Sequence, residues 1–331
     1  MKKDRKHKAL GLLSGGLDSS LACLLIKSQG VDVTGICYTS PFFSPKKAKI
    51  AAKTLKIPLI CKDFYKDIIT LVKNPKHGFG SALNPCIDCH SLMIKKTGEI
   101  MKEKKYDFMF TGEVLGQRPM SQNKDALNKV ANDSGYQGYI LRPLSAKLLD
   151  ETFPEKEKIV DRNLLCEIAG RSRQQQRALA VKYGLYDYPN SAGGCLLTEK
   201  NYSRKLKDIL TYNPKLTRSE VLLLKTGRHF RINHKAKLII GKDEKDNRYL
   251  EKMALSKDFI ISTEHLPGPV ALIKGKVNNE ELNKAMKLVL SYADIENSGN
   301  FQVFFIRNSL KKFINVHIEN KSASRKLFKH I

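Results

Sequence analysis

Seven residues, Ser14-Gly15-Gly16-Leu17-Asp18-Ser19-Ser20, separate a short apolar strand pattern (9–13) from an apolar helical pattern (18–29). Few local structures accept such a string. The two glycines let the backbone approach an anion with no Cβ in the way. Ser19 and Ser20 add hydroxyls, and a helix opening here presents free N–H groups carrying a partial positive charge. Strand, glycine turn and helix N-terminus together make a phosphate cradle. It is not a Walker loop, because the G-x-x-x-x-G-K-[ST] spacing and its lysine are absent.

The first half of the chain suits such a cradle. Strand patterns at 9–13, 33–39, 58–61, 107–111 and 139–143 alternate with helical patterns at 18–29, 45–55, 63–73 and 91–104, and two more helices are expected near 161–169 and 171–183. This alternation implies an α/β domain with a parallel sheet and helices on both faces. A polar, basic stretch at 201–225 reads as a linker, which places one domain at 1–212 and a second at 213–331. The second reads as a smaller α+β module, with strands at 228–232, 237–241, 259–263, 271–274 and 301–306 and helices at 243–255 and 279–293.

With 331 residues the chain can bury two cores. Its 59 Lys+Arg against 33 Asp+Glu leave a formal charge of +26. From residue 200 onward there are 27 basic and 13 acidic side chains, a surplus of 14. A field of this size attracts polyanions, and RNA is the expected one. No run approaches the roughly 20 apolar residues of a spanning helix, and the apolar stretch after the basic start is too short for a signal peptide. A cytoplasmic protein that does not engage membranes is expected.

Seven cysteines without a secretory signal point to reduced thiols. Cys23, Cys37, Cys61 and Cys166 lie in apolar segments and are expected in the core. Cys86, Cys89 and Cys195 differ. Asn84-Pro85-Cys86-Ile87-Asp88-Cys89-His90 opens a predicted helix, where the dipole should lower the thiol pKa values. Ser191-Ala192-Gly193-Gly194-Cys195 places the third thiol after two glycines. Zinc would want a fourth ligand, for which His90 is nearest, whereas a [4Fe-4S] cluster on three thiolates keeps one iron open.

The loop resembles the PP-loop ATP pyrophosphatases, whose signature is S-G-G-x-D-S. The resemblance implies that ATP is cleaved between its α- and β-phosphates while a carbonyl oxygen is adenylated. It further implies that Ser14, Gly15, Gly16, Asp18, Ser19 and Ser20 hold the nucleotide, with Asp18 near Mg²⁺ and the strand at 36–40, beginning with Ile36, along the adenine. The cysteine segments are similar to N-P-x-x-x-C-N and S-T-G-I-C-F-I-G-E of the tRNA-specific 2-thiouridylases, with Thr111-Gly112-Glu113 where that family has T-G-H. The match implies tRNA as substrate, a sulfur donor, Cys89 and Cys195 as catalytic thiols and Gly112 in the nucleotide site. Cys86, a third thiol, favours a cluster held by Cys86, Cys89 and Cys195.

Residues 112–122 depart from the usual thiouridylase sequence, and that family's C-terminal β-barrel pattern is missing. Arg142 and the stretch Arg171-Ser172-Arg173-Gln174-Gln175-Gln176-Arg177 are expected to face RNA. Residues 226–328 instead resemble the RNA-binding domain of the NFACT family, in the motifs Gly241-Lys242 with Asn247, Pro267-Gly268 and Ser291-Tyr292-Ala293. These features add up to an ATP-dependent tRNA sulfurtransferase. The alternatives are a cluster-free persulfide thiouridylase, a PP-loop amidotransferase or lysidine-type ligase with no role for the cysteines, and a non-catalytic RNA-binding quality-control factor.

Overall fold

Apolar residues bounded by polar ones begin the chain's first strand, β1 (Lys8–Leu12), and the glycine turn delivers it into α1 (Leu17–Lys27). The computed structural model describes residues 6–188, 194–213, 215–263 and 266–331. Two compact units divide the chain after Thr198.

In the first unit, β2 (Asp32–Thr39), α2 (Lys46–Leu55), β3 (Leu59–Asp63), α3 (Tyr65–Lys73), α4 (Cys86–Glu103), β4 (Phe108–Thr111), α5 (Lys124–Ser134), β5 (Ile140–Leu141), α6 (Phe153–Lys156) and α7 (Gln174–Lys182) follow in order. The strands form one parallel sheet in the order β3-β2-β1-β4-β5. Right-handed crossovers running first one way and then the other from β1 carry successive helices to opposite faces. Accordingly α1 packs with α2 and α7, while α4 packs with α3 and α5. The order reverses between β1 and β4, and ligands of open parallel sheets bind at such a switch point, outside the carboxyl ends of the strands.

One side of α1, Ala22, Cys23 and Ile26, packs on the sheet against Ala9, Leu13 and Phe110. Its other side, Leu17, Leu21 and Leu25, meets Val114, Leu144, Ile168 and Ala180. The helix is therefore buried nearly all round, which explains its apolar sequence.

The second unit contains α8 (Lys200–Tyr212), α9 (Arg218–Leu223), β6 (Arg228–Asn233), β7 (Ala236–Ile240), α10 (Glu244–Met253), β8 (Phe259–Thr263), β9 (Ala271–Gly275), α11 (Asn279–Leu290), β10 (Gly299–Arg307), β11 (Leu310–Ile318), α12 (Lys321–Ser324) and β12 (Lys329–His330). Its seven strands run β11-β10-β8-β9-β7-β6-β12, all antiparallel. Leu282, Ala285, Met286 and Val289 of α11 join Leu238, Ile261, Ile273, Val303 and Val316 in its core. Leu250 of α10 covers Ile239 and Leu272 on the other face.

Several sequence expectations change here. The stretch expected as a linker forms α8 and α9, linked by a hydrogen bond from the Tyr202 hydroxyl to the Val221 carbonyl (3.1 Å). The helix expected at 161–169 is only a 3-10 turn at Arg162–Leu164. Beyond it Cys166 and Ile168 donate backbone hydrogen bonds to Pro143 and Leu144, which holds the chain extended. Cys61, expected in the core, is exposed because β3 is an edge strand. No helix among the described residues is long and apolar enough to cross a membrane.

Candidate active site at the switch point of the sheet

Gly15 takes a left-handed conformation (φ +78°), and a Cβ there would collide with the backbone of Lys47 and Ala48 at the start of α2. Gly16 caps α1 with no side-chain partner for the helix N-terminus, so the first-turn N–H groups are left for a ligand. The hydroxyls of Ser14 and Ser19 are 3.1 Å apart, and Ser19 also donates to the Gly16 carbonyl (3.0 Å). Ser20 is also buried and its hydroxyl also donates to the Gly16 carbonyl (3.0 Å), so it braces the first turn of the helix. Ile36 is not brought to the loop surface, since its side chain is 1% exposed and its carbonyl accepts from the Leu13 N–H.

Asp18 is the carboxylate of this loop suited to a cation. Its Oδ2 accepts from Gln117 Nε2 (3.0 Å) and from the Arg173 guanidinium (3.3 Å). Its Oδ1 is buried without a hydrogen-bond partner among the described residues. An unsatisfied buried polar atom costs roughly 1–3 kcal/mol, and a hard cation such as Mg²⁺ takes oxygen ligands. The carboxylate fits that ion.

Gly112 joins this loop to the rest of the site. A Cβ on Gly112 would stand 2.5 Å from the nitrogen and Cα of Ser19, so the backbone after β4 lies directly on the first turn of α1. The next residue, Glu113, is buried and paired on all sides. Its Oε1 meets His90 Nδ1 (2.8 Å), and its Oε2 accepts from Arg142 Nε (3.0 Å) and Thr111 Oγ1 (3.0 Å). Burial pushes its carboxyl up, but Arg142 and His90 outweigh it and hold the pKa at about 2. Arg142, expected to face RNA, is instead 8% exposed and inside this cluster.

His90 follows Cys89 in the first turns of α4, so its hydrogen bond to Glu113 anchors the thiol-bearing helix to the backbone that lies on the phosphate loop. Cys86 opens that helix and receives a hydrogen bond from Asn84 Nδ2 (3.2 Å). The expected lowering of the thiol pKa does not hold for Cys89. Burial raises it well above the ordinary value, and the neighbouring charges of Cys195, Cys86 and Asp88 add to the effect. Cys86 and Cys195 are thus both within electrostatic reach of Cys89. Of the Ser191–Cys195 motif only Gly194 and Cys195 are among the described residues. As placed, no three His, Cys, Asp or Glu side chains among the described residues form a group able to hold a metal ion. By donor chemistry, three soft sulfur ligands suit an iron–sulfur group better than a hard ion.

A family model described as the tRNA methyl transferase HUP domain matches residues 7–198. The chain belongs to this family. A second model, the NFACT protein RNA binding domain, matches residues 227–326. The tRNA-specific 2-thiouridylase MnmA of Symbiobacterium thermophilum is 26% identical over 228 residues, covering 61% of this chain and 55% of that protein. MnmA 2 of Thermoanaerobacter sp. is 29% identical over 226 residues, covering 60% and 57%. A solved 4-thiouridine synthetase–RNA complex with bound ATP superposes with a TM-score of 0.36 at 18% identity, over 54% of this chain and 52% of that one. The chain spans about half the length of the curated relatives it matches.

Within this HUP domain, sequence reasoning located the loop and the three cysteines but not the partners of Asp18. Arg173 and Gln117 lie 155 and 99 residues from it, and Gln176, which is buried, reaches Gln117 (3.4 Å). An amide- and arginine-rich helix start was visible at 171–177; that it turns inward toward the phosphate loop was not.

Proposed function

We propose that the chain is an ATP-dependent tRNA sulfurtransferase. The observation that carries this reading is the single constellation made by Gly112 and Glu113, which ties the phosphate loop to the helix bearing Cys86 and Cys89. An ATPase site alone would not require thiols, and a thiol site alone would not require the loop. The relatives named above support tRNA as the acceptor, and the surplus positive charge of the second unit supports its role in holding that RNA.

In this reading ATP lies with its β- and γ-phosphates on the N–H groups of α1 and the hydroxyls of Ser14 and Ser19. The nucleobase carbonyl oxygen attacks the α-phosphorus, pyrophosphate leaves, and the oxygen becomes part of an adenylate that departs as AMP when sulfur attacks the ring carbon. Arg173 adds positive charge beside Asp18, where the leaving pyrophosphate accumulates negative charge. Asp18 Oδ1 would hold Mg²⁺, which offsets that same charge. Cys86, Cys89 and Cys195 would hold a [4Fe-4S] cluster, which supplies an open iron able to bind a sulfur species. Glu113 fixes His90 through Nδ1, so the imidazole keeps one orientation beside Cys89.

The test incubates the full chain anaerobically with tRNA, ATP, Mg²⁺ and sulfide, and follows AMP release and the thionucleoside by mass spectrometry. Both products should appear together and both should vanish in Asp18→Asn. Cys86→Ala, Cys89→Ala and Cys195→Ala should each abolish thiolation while leaving tRNA affinity within a few fold. RNA binding with no AMP release, or thiolation by a chain lacking all three thiols, overturns the reading.

A further inference from the structure

The hairpin of β10 and β11 presents two different faces. Directly opposed residues of an antiparallel pair share a face, and successive residues alternate. Phe301, Val303 and Phe305 therefore point to the core with Val316 and Ile318, and Lys312, opposite Phe305, lies on that same side. The other face carries the pairs Phe304 with Phe313, Gln302 with Asn315, Asn300 with His317 and Ile306 with Lys311. It continues across β8 to Ile260, paired with Ile306, and only there passes beneath α10. The hairpin end stays open: Phe313 is 46% exposed.

The chemistry of this open face is specific. The rings of Phe304 and Phe313 sit 6.1 Å apart, tilted at 59°, and the Lys311 ammonium lies 4.1 Å from one centroid and 4.7 Å from the other. Beyond the rings comes a row of amides and an imidazole, with His317 Nδ1 3.0 Å from Asn300 Oδ1. Residues 299–318 contain no acidic side chain, and Lys311 is the cation they place on this face. Exposed aromatics, interleaved cations and amide groups are what unpaired nucleotides use: rings stack on bases, cations meet phosphates, and amides read base edges. A membrane surface would favour apolar groups where Gln302, Asn315 and His317 stand.

We propose that this face of the β10–β11 hairpin binds an unpaired stretch of RNA, with a base stacked on Phe313 and a neighbouring phosphate met by Lys311. The inference rests on the reading that the chain acts on tRNA, and it assigns the contact to residues outside the HUP domain.

The experiment uses the full chain and two labelled probes, a single-stranded RNA of about 12 nucleotides and a blunt RNA duplex, followed by fluorescence anisotropy. Phe313→Ala should weaken single-strand binding about tenfold and leave duplex binding within twofold, because stacking needs a splayed base. Phe313→Leu, which keeps the apolar bulk, should behave like Phe313→Ala. Replacing Lys311 by Gln should reduce the slope of log affinity against log salt by about 0.7 on the single strand, one phosphate's worth.

Unchanged single-strand affinity in both Phe313 variants, or equal losses on the two probes, overturns the assignment. So does wild-type binding to phosphatidylserine vesicles that falls with Phe313→Ala while RNA binding does not. If those variants bind RNA normally and the chain still thiolates tRNA, this inference alone fails. A wild-type chain that binds neither the probes nor tRNA removes the proposed function with it.

Discussion

Replacing Glu113 by Gln removes one charge from a cluster in which Thr111 and Arg142 are buried and His90 is partly exposed. The carboxyl stands at about 2 against an ordinary 4.5, and with 1.36 kcal/mol per pH unit the ionised form contributes about 3 kcal/mol at neutral pH. The substitution also leaves Arg142 a buried cation without its counter-charge, a change of the class that costs about 3–5 kcal/mol. For a unit of this size 1 kcal/mol moves the midpoint by about 2–4 °C, so the first unit should melt about 6–12 °C lower in Glu113→Gln. Calorimetry of the full chain at pH 7 measures this. Because the folded pKa is depressed, the stabilisation is fully present above about 4.5 and is lost as pH falls through about 2. At pH 3 the gap between wild type and variant should be about half its neutral value. Adding Arg142→Met to Glu113→Gln should recover part of the loss by removing the stranded charge. A drop under about 2 °C at pH 7, or a gap that does not narrow in acid, would refute the view that this ion cluster locks the site.

Gly112→Ala should destabilise the first unit by about 1–3 kcal/mol, because its Cβ has no room beside Ser19. It should also weaken ATP binding at least about tenfold by calorimetric titration, since the loop must shift; unchanged affinity contradicts the contact. Lys237 is buried, which pushes its pKa down to about 7 despite Asp208 nearby. The folded state thus binds fewer protons than the unfolded one, and the second unit should gain stability from pH 7 to 9. Lys237→Met should flatten that rise, as measured by thermal melts across the range. Anaerobically purified protein should carry about four iron and four sulfide per chain and lose them in Cys86→Ala; zinc or no metal in the wild type would exclude the cluster.

What could be read from the sequence and what could not have separable causes. The strand, glycine turn and α1 were legible because their composition leaves few alternatives, and the parallel sheet followed from alternation. Helix α8 was hidden by its lysines, although Tyr202, Leu206 and Ile209 are buried along one face. Strand β11 was hidden by Lys311-Lys312; the signal was Asn308-Ser309, both at positive φ, which forms the tight hairpin turn. The helix expected at 161–169 lost to backbone hydrogen bonds with 143–144, a tertiary effect with no local trace. At the site, each group's identity was legible but its partner was not. Arg142 and Arg173 looked like surface cations, and only folding shows them turned inward onto Glu113 and Asp18.

The nine-residue strand β11 ends its sheet, so one line of its backbone N–H and C=O groups has no strand beside it among the described residues. Such a rim is a template for a second copy, and lysines are the usual means of keeping two rims apart. That protection is electrostatic and reaches only about 10 Å at 0.1 M salt, about 3 Å at 1 M. The high salt that would strip adhering RNA from this protein during purification therefore also silences the repulsion between hairpins. Self-association should appear in the clean, concentrated, high-salt sample and not in the dilute, RNA-laden one.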